Sequence, residues 1–158
     1  MTRTESLLPK LSEWKPTGEG RHSLSAALPE VGWTVQLTAD KADSLSCLVW
    51  ELALARTGDA PDGFSLRGWA DAVAKRATGL LEPLRLLEVD DARGEALLRS
   101  DAPAQKGERL AYYEVRLFAP GRAVVRRFAA SRTASGREQV AFALTHEVLA
   151  KLADDIVG

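Results

Sequence analysis

The segment that most constrains the fold is LAYYEVRLFAPGRAVVRRFAAS, residues 110–131. Its first half alternates apolar and polar side chains, with Val115 and Leu117 on the apolar side. This period of two is typical of a strand with one buried face, because successive side chains point to opposite faces. Pro120 and Gly121 favour a turn, since proline presets φ at the first turn position and glycine tolerates positive φ at the next. The segment therefore predicts a β-hairpin.

We predict a register for this hairpin in which Ala119 pairs with Arg122. A register shifted by one residue is the alternative. In the predicted register Glu114 lies opposite Arg127, which favours a cross-strand ion pair. Arg126 then faces the apolar side of the hairpin, as Val115 does. Either the aliphatic part of the Arg126 side chain runs along the apolar surface, or its guanidinium binds a ligand.

Upstream of the hairpin, the chain predicts an N-terminal arm over residues 1–20 that packs on the body. Two prolines and the run TGEG make a long helix there unfavourable. Alternation over 22–28 and 33–38 predicts two strands around a turn. Residues 45–55 fit both a helix and a strand, and we interpret them as a strand because sheet context overrides weak helix propensities.

The clearest helix follows the loop TGDAPDG, with Ser65 placed to cap its first turn. Its apolar stripe includes Trp69 and Val73 and recurs at intervals of three and four, and Pro83 ends the helix at the latest. Residues 84–89 and 95–99 then predict a second hairpin around DDARG. The polar stretch DAPAQKGER is interpreted as a link to the hairpin at 110–131.

A long C-terminal helix is predicted from Ser135 onward. Ser135 and Glu138 have the spacing of a capping box, and Leu144, Val148 and Leu152 lie on one apolar stripe. The order of elements predicts an α+β fold with a mainly antiparallel sheet of about six or seven strands. Residues 21–158 are predicted to form one domain, with a mid-chain helix and the C-terminal helix packed on the sheet.

Composition places the chain among ordinary globular proteins, with 46% apolar and 27% charged residues. The formal net charge of -1 gives no long-range attraction to nucleic acid or to an anionic membrane, so neither is expected as a partner. One cysteine, Cys47, suits a reducing compartment. The N-terminus lacks the apolar core of a signal peptide, so we expect a cytoplasmic protein.

The common catalytic signatures are absent: the sequence contains no GxSxG, HExxH, GxxxxGK[ST] or GxGxxG. The two histidines, His22 and His146, stand in no recognisable motif and are interpreted as surface or core-edge residues. His146 and Glu147 are adjacent on a helix, where side chains diverge by about 100°, so a shared metal is not expected. We predict no catalytic residue, no cofactor and no metal.

Binding residues are easier to nominate than catalytic ones. Six arginines on or near the hairpin suggest a basic face for phosphate or RNA, but cross-strand ion pairs explain them better: Arg116, Arg122, Arg126, Arg127, Arg132 and Arg137. Trp33, Trp50 and Trp69 are interpreted as core residues. Trp14, in the proline-bounded arm, is the better candidate for a partner contact, because exposed aromatic side chains often anchor interfaces.

The order of segments resembles the PsbP/DcrB-like domains, especially the Eag-type chaperones of bacterial type VI secretion. The resemblance lies in the layout of strands, GFSLRGWADAVAKRATGLLEPLRLLEVDDARGEALLRSD, LAYYEVRLFAPGRAVVRRFAASR and a closing helix, over roughly residues 23–157. It implies no catalytic motif. The long Ala-rich final helix and the arm before Gly20 depart from that family. Type III secretion chaperones also form α+β domains of this size that bind effectors, although they normally begin with a helix.

The first functional hypothesis is a non-enzymatic protein-binding module of the secretion-chaperone or adaptor type. The second is a ligand-binding domain or small enzyme that uses Arg126 and His146 in a pocket between sheet and helix. Unpaired edge strands invite pairing between copies, so a homodimer is also expected.

Overall fold

The computed structural model describes residues 4–100, 104–131, 133 and 135–158, and this part of the chain forms ten strands and three helices. The helices are α1 (Leu7–Glu13), α2 (Leu66–Arg76) and α3 (His146–Val157). The strands are β1 (His22–Leu28), β2 (Trp33–Ala42), β3 (Ser46–Arg56), β4 (Leu84–Asp90), β5 (Glu95–Ser100), β6 (Ala104–Lys106), β7 (Arg109–Phe118), β8 (Arg122–Ser131), β9 (Arg137–Val140) and β10 (Phe142–Thr145).

All strands join one antiparallel sheet with the order β1-β2-β3-β8-β7-β5-β4. Three short strands lie off this path, where β10 pairs with β3, β6 with β7 and β9 with β8. The α+β class is confirmed, and the sheet is larger than predicted. The difference comes from these three strands, which lie in the segments interpreted as a polar link and as the start of a helix.

The C-terminal helix begins later than its predicted capping box. Residues 137–140 and 142–145 are the strands β9 and β10, and Glu138 pairs with Arg109 (2.8 Å) instead of capping a helix. The actual N-cap is Thr145, whose hydroxyl accepts a hydrogen bond from the Val148 N–H (3.2 Å). Phe142 and alternate residues of β10 are buried, so the apolar pattern of this stretch also satisfies a strand. Backbone groups of β3 and β8 are available to pair with this stretch, and that pairing favours strands over a helix.

The β7–β8 register is shifted by one residue from the predicted one. Phe118 pairs with Arg122, which leaves three residues in the turn and places Glu114 opposite Arg126. Arg126 therefore faces away from the side of Val115, contrary to the prediction, because a slip of one residue moves every side chain to the other face. The predicted Glu114–Arg127 pair is likewise wrong.

Gly121 is required in this turn by a close approach to β3. A Cβ atom on Gly121 would lie 2.7 Å from the Cβ of Arg56, closer than side chains tolerate. Gly121 is not among the residues with positive φ, so the conformational reason expected from the sequence does not apply. The tight approach lets the backbone N–H of Arg56 donate to the Gly121 carbonyl (2.8 Å).

One face of the sheet carries the core and the helices. α3 contacts α1, α2, β3 and β10, while α2 contacts β4, β5 and β7. Buried apolar residues of the helices and strands form a single cluster. The predicted α2 is confirmed: Ser65 accepts from the Gly68 N–H (2.9 Å), Trp69 is 9% exposed, and its indole N–H donates to the Ile156 carbonyl (2.8 Å).

Candidate functional site

The opposite face of the sheet, called the outer face below, carries none of the three helices within the described part of the chain. Because side chains alternate along strands, every second residue of β5, β7 and β8 points to this face. Cross-strand pairing aligns these residues in rows, such as Arg99, Glu114 and Arg126. The outer face therefore collects polar and aromatic side chains from strands that are distant in sequence.

Glu114 lies at the centre of the outer face and is 2% exposed. One of its carboxylate oxygens accepts from Arg137 (2.9 Å) and Arg99 (3.3 Å), and the other accepts from Arg116 (3.4 Å). These four residues are called the arginine cluster below. They hold three guanidinium groups against one carboxylate, which leaves an excess of positive charge. The arginine side chains remain 34–38% exposed.

The arginines determine the ionisation of Glu114. Burial by itself raises the pKa of this carboxyl, but the hydrogen bond and charge of Arg137 and the nearby Arg116 and Arg99 outweigh burial and lower the pKa below its usual value. The pKa of Arg137 is raised: burial lowers it, and bonds to Glu114 and to the Tyr112 hydroxyl more than compensate. Glu114 and Arg137 are therefore both charged at neutral pH.

Two aromatic rings form the floor beside the arginine cluster. Tyr112 and Phe128 are cross-strand neighbours with ring centroids 6.1 Å apart. The guanidinium of Arg137 stacks over Phe128 at 3.7 Å, and that of Arg99 lies 4.9 Å from the Tyr112 ring. These contacts fix the planes of both guanidinium groups, since cations are attracted to aromatic faces. The cluster is thus held in shape before any ligand arrives.

Arg126, predicted as a ligand or partner contact, lies beside this cluster but does not pair with Glu114. It forms an ion pair with Glu51 of β3 (2.7 Å). On the same face, a shallow depression of about 200 Å³ is lined by Glu51, Arg122, Val124 and neighbouring residues of β2 and β3. The outer face therefore combines a depression with an arginine-rich patch.

The other arginines of the predicted basic face take different positions. Arg127 points to the core side of the sheet, where it pairs with Glu82 (3.0 Å) and lies 4.2 Å from the Tyr113 ring. Arg132 lies outside the described residues. Arg99 was not predicted, because it belongs to β5 and no sequence signal links it to β7.

His146, the second predicted contact, is the first residue of α3 and is 4% exposed, so it is a buried residue and not a surface one. Its backbone N–H donates to the Leu45 carbonyl (3.0 Å), and its Nε2 has no hydrogen-bond partner among the described residues. Because α3 lies on the core side and Arg126 on the outer face, the structure does not bring His146 and Arg126 into one pocket.

Of the tryptophans, two differ in setting from the core residues Trp33 and Trp69. Trp14, the third predicted contact, follows α1 and is half-buried against the core. Trp50 is half-buried, which corrects its interpretation as a core residue. A register irregularity between β2 and β3 occurs beside it, and Arg21 stacks over its ring at 3.5 Å.

A cleft of about 420 Å³ near the start of β3 brings His22, Asp43 and Cys47 together. Burial, with a smaller effect of Asp43, raises the pKa of the Cys47 thiol to about 11. A thiol with that pKa is almost fully protonated at neutral pH and is a poor nucleophile. Two backbone N–H groups, those of Leu45 and Ser46, bond to the Asp43 carboxylate and lower its pKa. Cys47 is therefore not an activated nucleophile in this cleft.

Within the described residues, no group of three or more histidine, cysteine or acidic side chains is arranged to hold a metal ion. None of the described helices has both the length and the apolar character that crossing a bilayer requires. No protein-family model, no curated protein and no solved structure matches the chain. The resemblance to PsbP/DcrB-like domains stays a prediction.

Proposed function

We propose that the chain is a non-enzymatic protein-binding module of the secretion-chaperone or adaptor type, which holds its partner on the outer face. The observation that carries this proposal is the open sheet face with arginines about one third exposed and stacked on aromatic rings. Tyrosine, phenylalanine and arginine are enriched at protein interfaces, and arginine and tyrosine are common among the residues that dominate binding energy. The free thiol of Cys47 supports a reducing, cytoplasmic location.

The geometry of the fold also favours a binding role. The helices lie on the far side of the sheet and support it, so a partner meets a surface already formed by paired strands. A preformed surface loses little conformational entropy when it binds. The alternative of an enzyme or ligand pocket that uses Arg126 and His146 has no geometric support, since the two residues lie on opposite sides of the sheet.

The test is recovery of a partner from native lysate by crosslinking and affinity capture. Gln36 is exposed and lines the depression on the outer face, so Gln36→Trp fills the depression without changing charge. Thr78→Trp is the matched control at an exposed position after α2. We expect stoichiometric recovery of one protein with the parent and Thr78→Trp, and its loss with Gln36→Trp. Recovery that is absent, or equal for both variants, contradicts the proposal.

A further inference from the structure

We propose that the arginine cluster binds the carboxylates of an acidic peptide segment, and this inference rests on the proposed function because it names the chemistry of the partner. The outer face has the charge for such a ligand. Three guanidinium groups share the single carboxylate of Glu114 within 3.4 Å, so the cluster keeps an excess of positive charge. An acidic segment that docks there removes the mutual repulsion of the arginines.

The arginines also have hydrogen-bond donors to spare. Each guanidinium carries five N–H donors, whereas Glu114 accepts only one from each arginine. Arg137 gives a further bond to the Tyr112 hydroxyl (3.3 Å). The buried Nε of Arg99 has no acceptor within the described part of the chain. Carboxylates match this fork of donors, because arginine and carboxylate form paired, charge-assisted hydrogen bonds.

The cluster is preorganised for a ligand that lies along the sheet. Glu114 holds the three guanidinium groups from below, and Phe128 and Tyr112 fix the orientation of Arg137 and Arg99. The exposed third of each arginine side chain faces solvent and remains accessible. Rigid donors lose less entropy on binding than flexible lysines or arginines on a loop.

Acidic residues on the same face favour a peptide over a nucleic acid. Arg116 lines a second depression, of about 160 Å³, together with Glu88 and Glu95, and Arg126 is already paired with Glu51. A continuous polyanion would meet these carboxylates along its path and be repelled. A peptide with a few acidic residues places its charges on the arginine cluster alone.

The experiment measures binding of a fluorescein-labelled peptide of about ten residues in which glutamate alternates with alanine, using fluorescence anisotropy at low salt. The comparison peptide has glutamine in place of glutamate, and a labelled oligothymidine of the same charge represents nucleic acid. Arg137→Gln and Arg99→Gln each remove one guanidinium, and Arg67→Gln is the control on the exposed face of α2. Melting temperatures establish that each variant is folded.

We expect the parent chain to bind the glutamate peptide about tenfold more tightly than the glutamine peptide. Arg137→Gln and Arg99→Gln should each weaken binding of the glutamate peptide by about fivefold or more, and Arg67→Gln should leave its affinity unchanged. Absence of glutamate-peptide binding, or equal loss in Arg67→Gln, overturns the inference. Tighter binding of oligothymidine also overturns it, in favour of nucleic acid. Gln36→Trp leaves the arginine cluster intact, so this inference and the proposed function can fail separately. If Gln36→Trp loses the captured partner but the parent chain does not bind the glutamate peptide, this inference is refuted and the proposed function stands.

Discussion

Cys47 illustrates how burial removes the reactivity of a single side chain. It is 2% exposed and its thiol pKa is raised to about 11. At about pH 8 only about one thiol in a thousand is ionised at that pKa, compared with about one in four for a free thiol. We expect Ellman's reagent to leave the folded protein unlabelled for hours and to label it completely in denaturant. Rapid labelling of the folded protein would contradict the buried position.

The buried charge of Glu114 contributes to stability. Replacing Glu114 with glutamine leaves three guanidinium groups without their anion. Breaking a buried ion pair in this way destabilises a protein by about 3 kcal/mol, and the loss of stability here is slightly smaller because the arginines stay partly hydrated. We expect Glu114→Gln to melt about 5–10 °C below the parent at pH 7. Glu138→Gln is the control, because its ion pair with Arg109 is exposed and contributes little.

The effect of Glu114 depends on pH with a definite sign. Its pKa in the folded protein is lowered, from a usual value of 4.5. A lowered carboxyl pKa contributes stability that is present above the unfolded value and is lost as the pH falls through the folded value. The difference in melting temperature between parent and Glu114→Gln should therefore shrink below about pH 4.5. A difference that stays constant from pH 7 to pH 3 would show that folding does not lower the pKa of Glu114.

At the scale of single elements, α2 is held to the sheet by Trp69. Its ring lies 5.9 Å from that of Trp33 and 6.0 Å from that of Phe64, and its N–H bonds to the Ile156 carbonyl. Truncation to alanine loses this packing and leaves a cavity, together about 3–5 kcal/mol. Trp69→Ala should lower the melting temperature by about 10 °C or more, whereas Arg67→Ala should leave it nearly unchanged. A melting point within a degree or two of the parent would refute the core position.

The short helix α1 depends on the body of the protein in the same way. Leu7 and Leu11 are each 1% exposed and belong to the same core cluster as the sheet, and α1 contacts α3. Helices this short are unstable alone, so packing holds α1 in place. Leu11→Ala should destabilise the fold by about 2–5 kcal/mol in denaturant titrations. The exposed Glu13→Ala serves as the control, and equal effects of the two changes would mean that α1 is not docked.

At the scale of the whole molecule, the sheet formed by the described residues ends at the edge strands β1 and β4. Edge strands offer unpaired backbone groups to another copy, and β4 also exposes Leu87 (47%). The homodimer expected from the sequence stays a prediction, with pairing through β4 as the proposed route. Light scattering at tens of micromolar should give twice the chain mass of 17.1 kDa.

A charge on the edge tests that route. Leu87→Lys should give the monomer mass, because lysine on an edge strand opposes pairing between copies. Leu81→Lys is the control, since Leu81 is 93% exposed but lies between α2 and β4, outside the strands. A monomer mass for the parent chain removes the dimer, and a dimer that survives Leu87→Lys rules out the β4 route.

Local patterns by themselves determined much of this fold. The alternation in β2 and in the β7–β8 hairpin, the capped stripe of α2 and the turn at DDARG all predict the observed elements, whereas the pattern of β3 also fits a helix. These signals succeed because burial of one face imposes a fixed period on the sequence, of two in strands and near 3.6 in helices. The buried stripe of α2 follows that rule directly.

Only the tertiary structure decided the C-terminal strands, the hairpin register and the arginine cluster. The apolar pattern of residues 137–145 fits both the helical period and the strand period. Whether they form a helix or strands depended on free pairing positions along β8 and β3. The register followed from the size of a turn that also had to fit against Arg56. Arg99, Glu114 and Arg137 come from three strands, and strand order alone brings them together. Sequence period fixes which side chains of one strand share a face, but the pairing between strands decides which face that is and which neighbours those side chains meet.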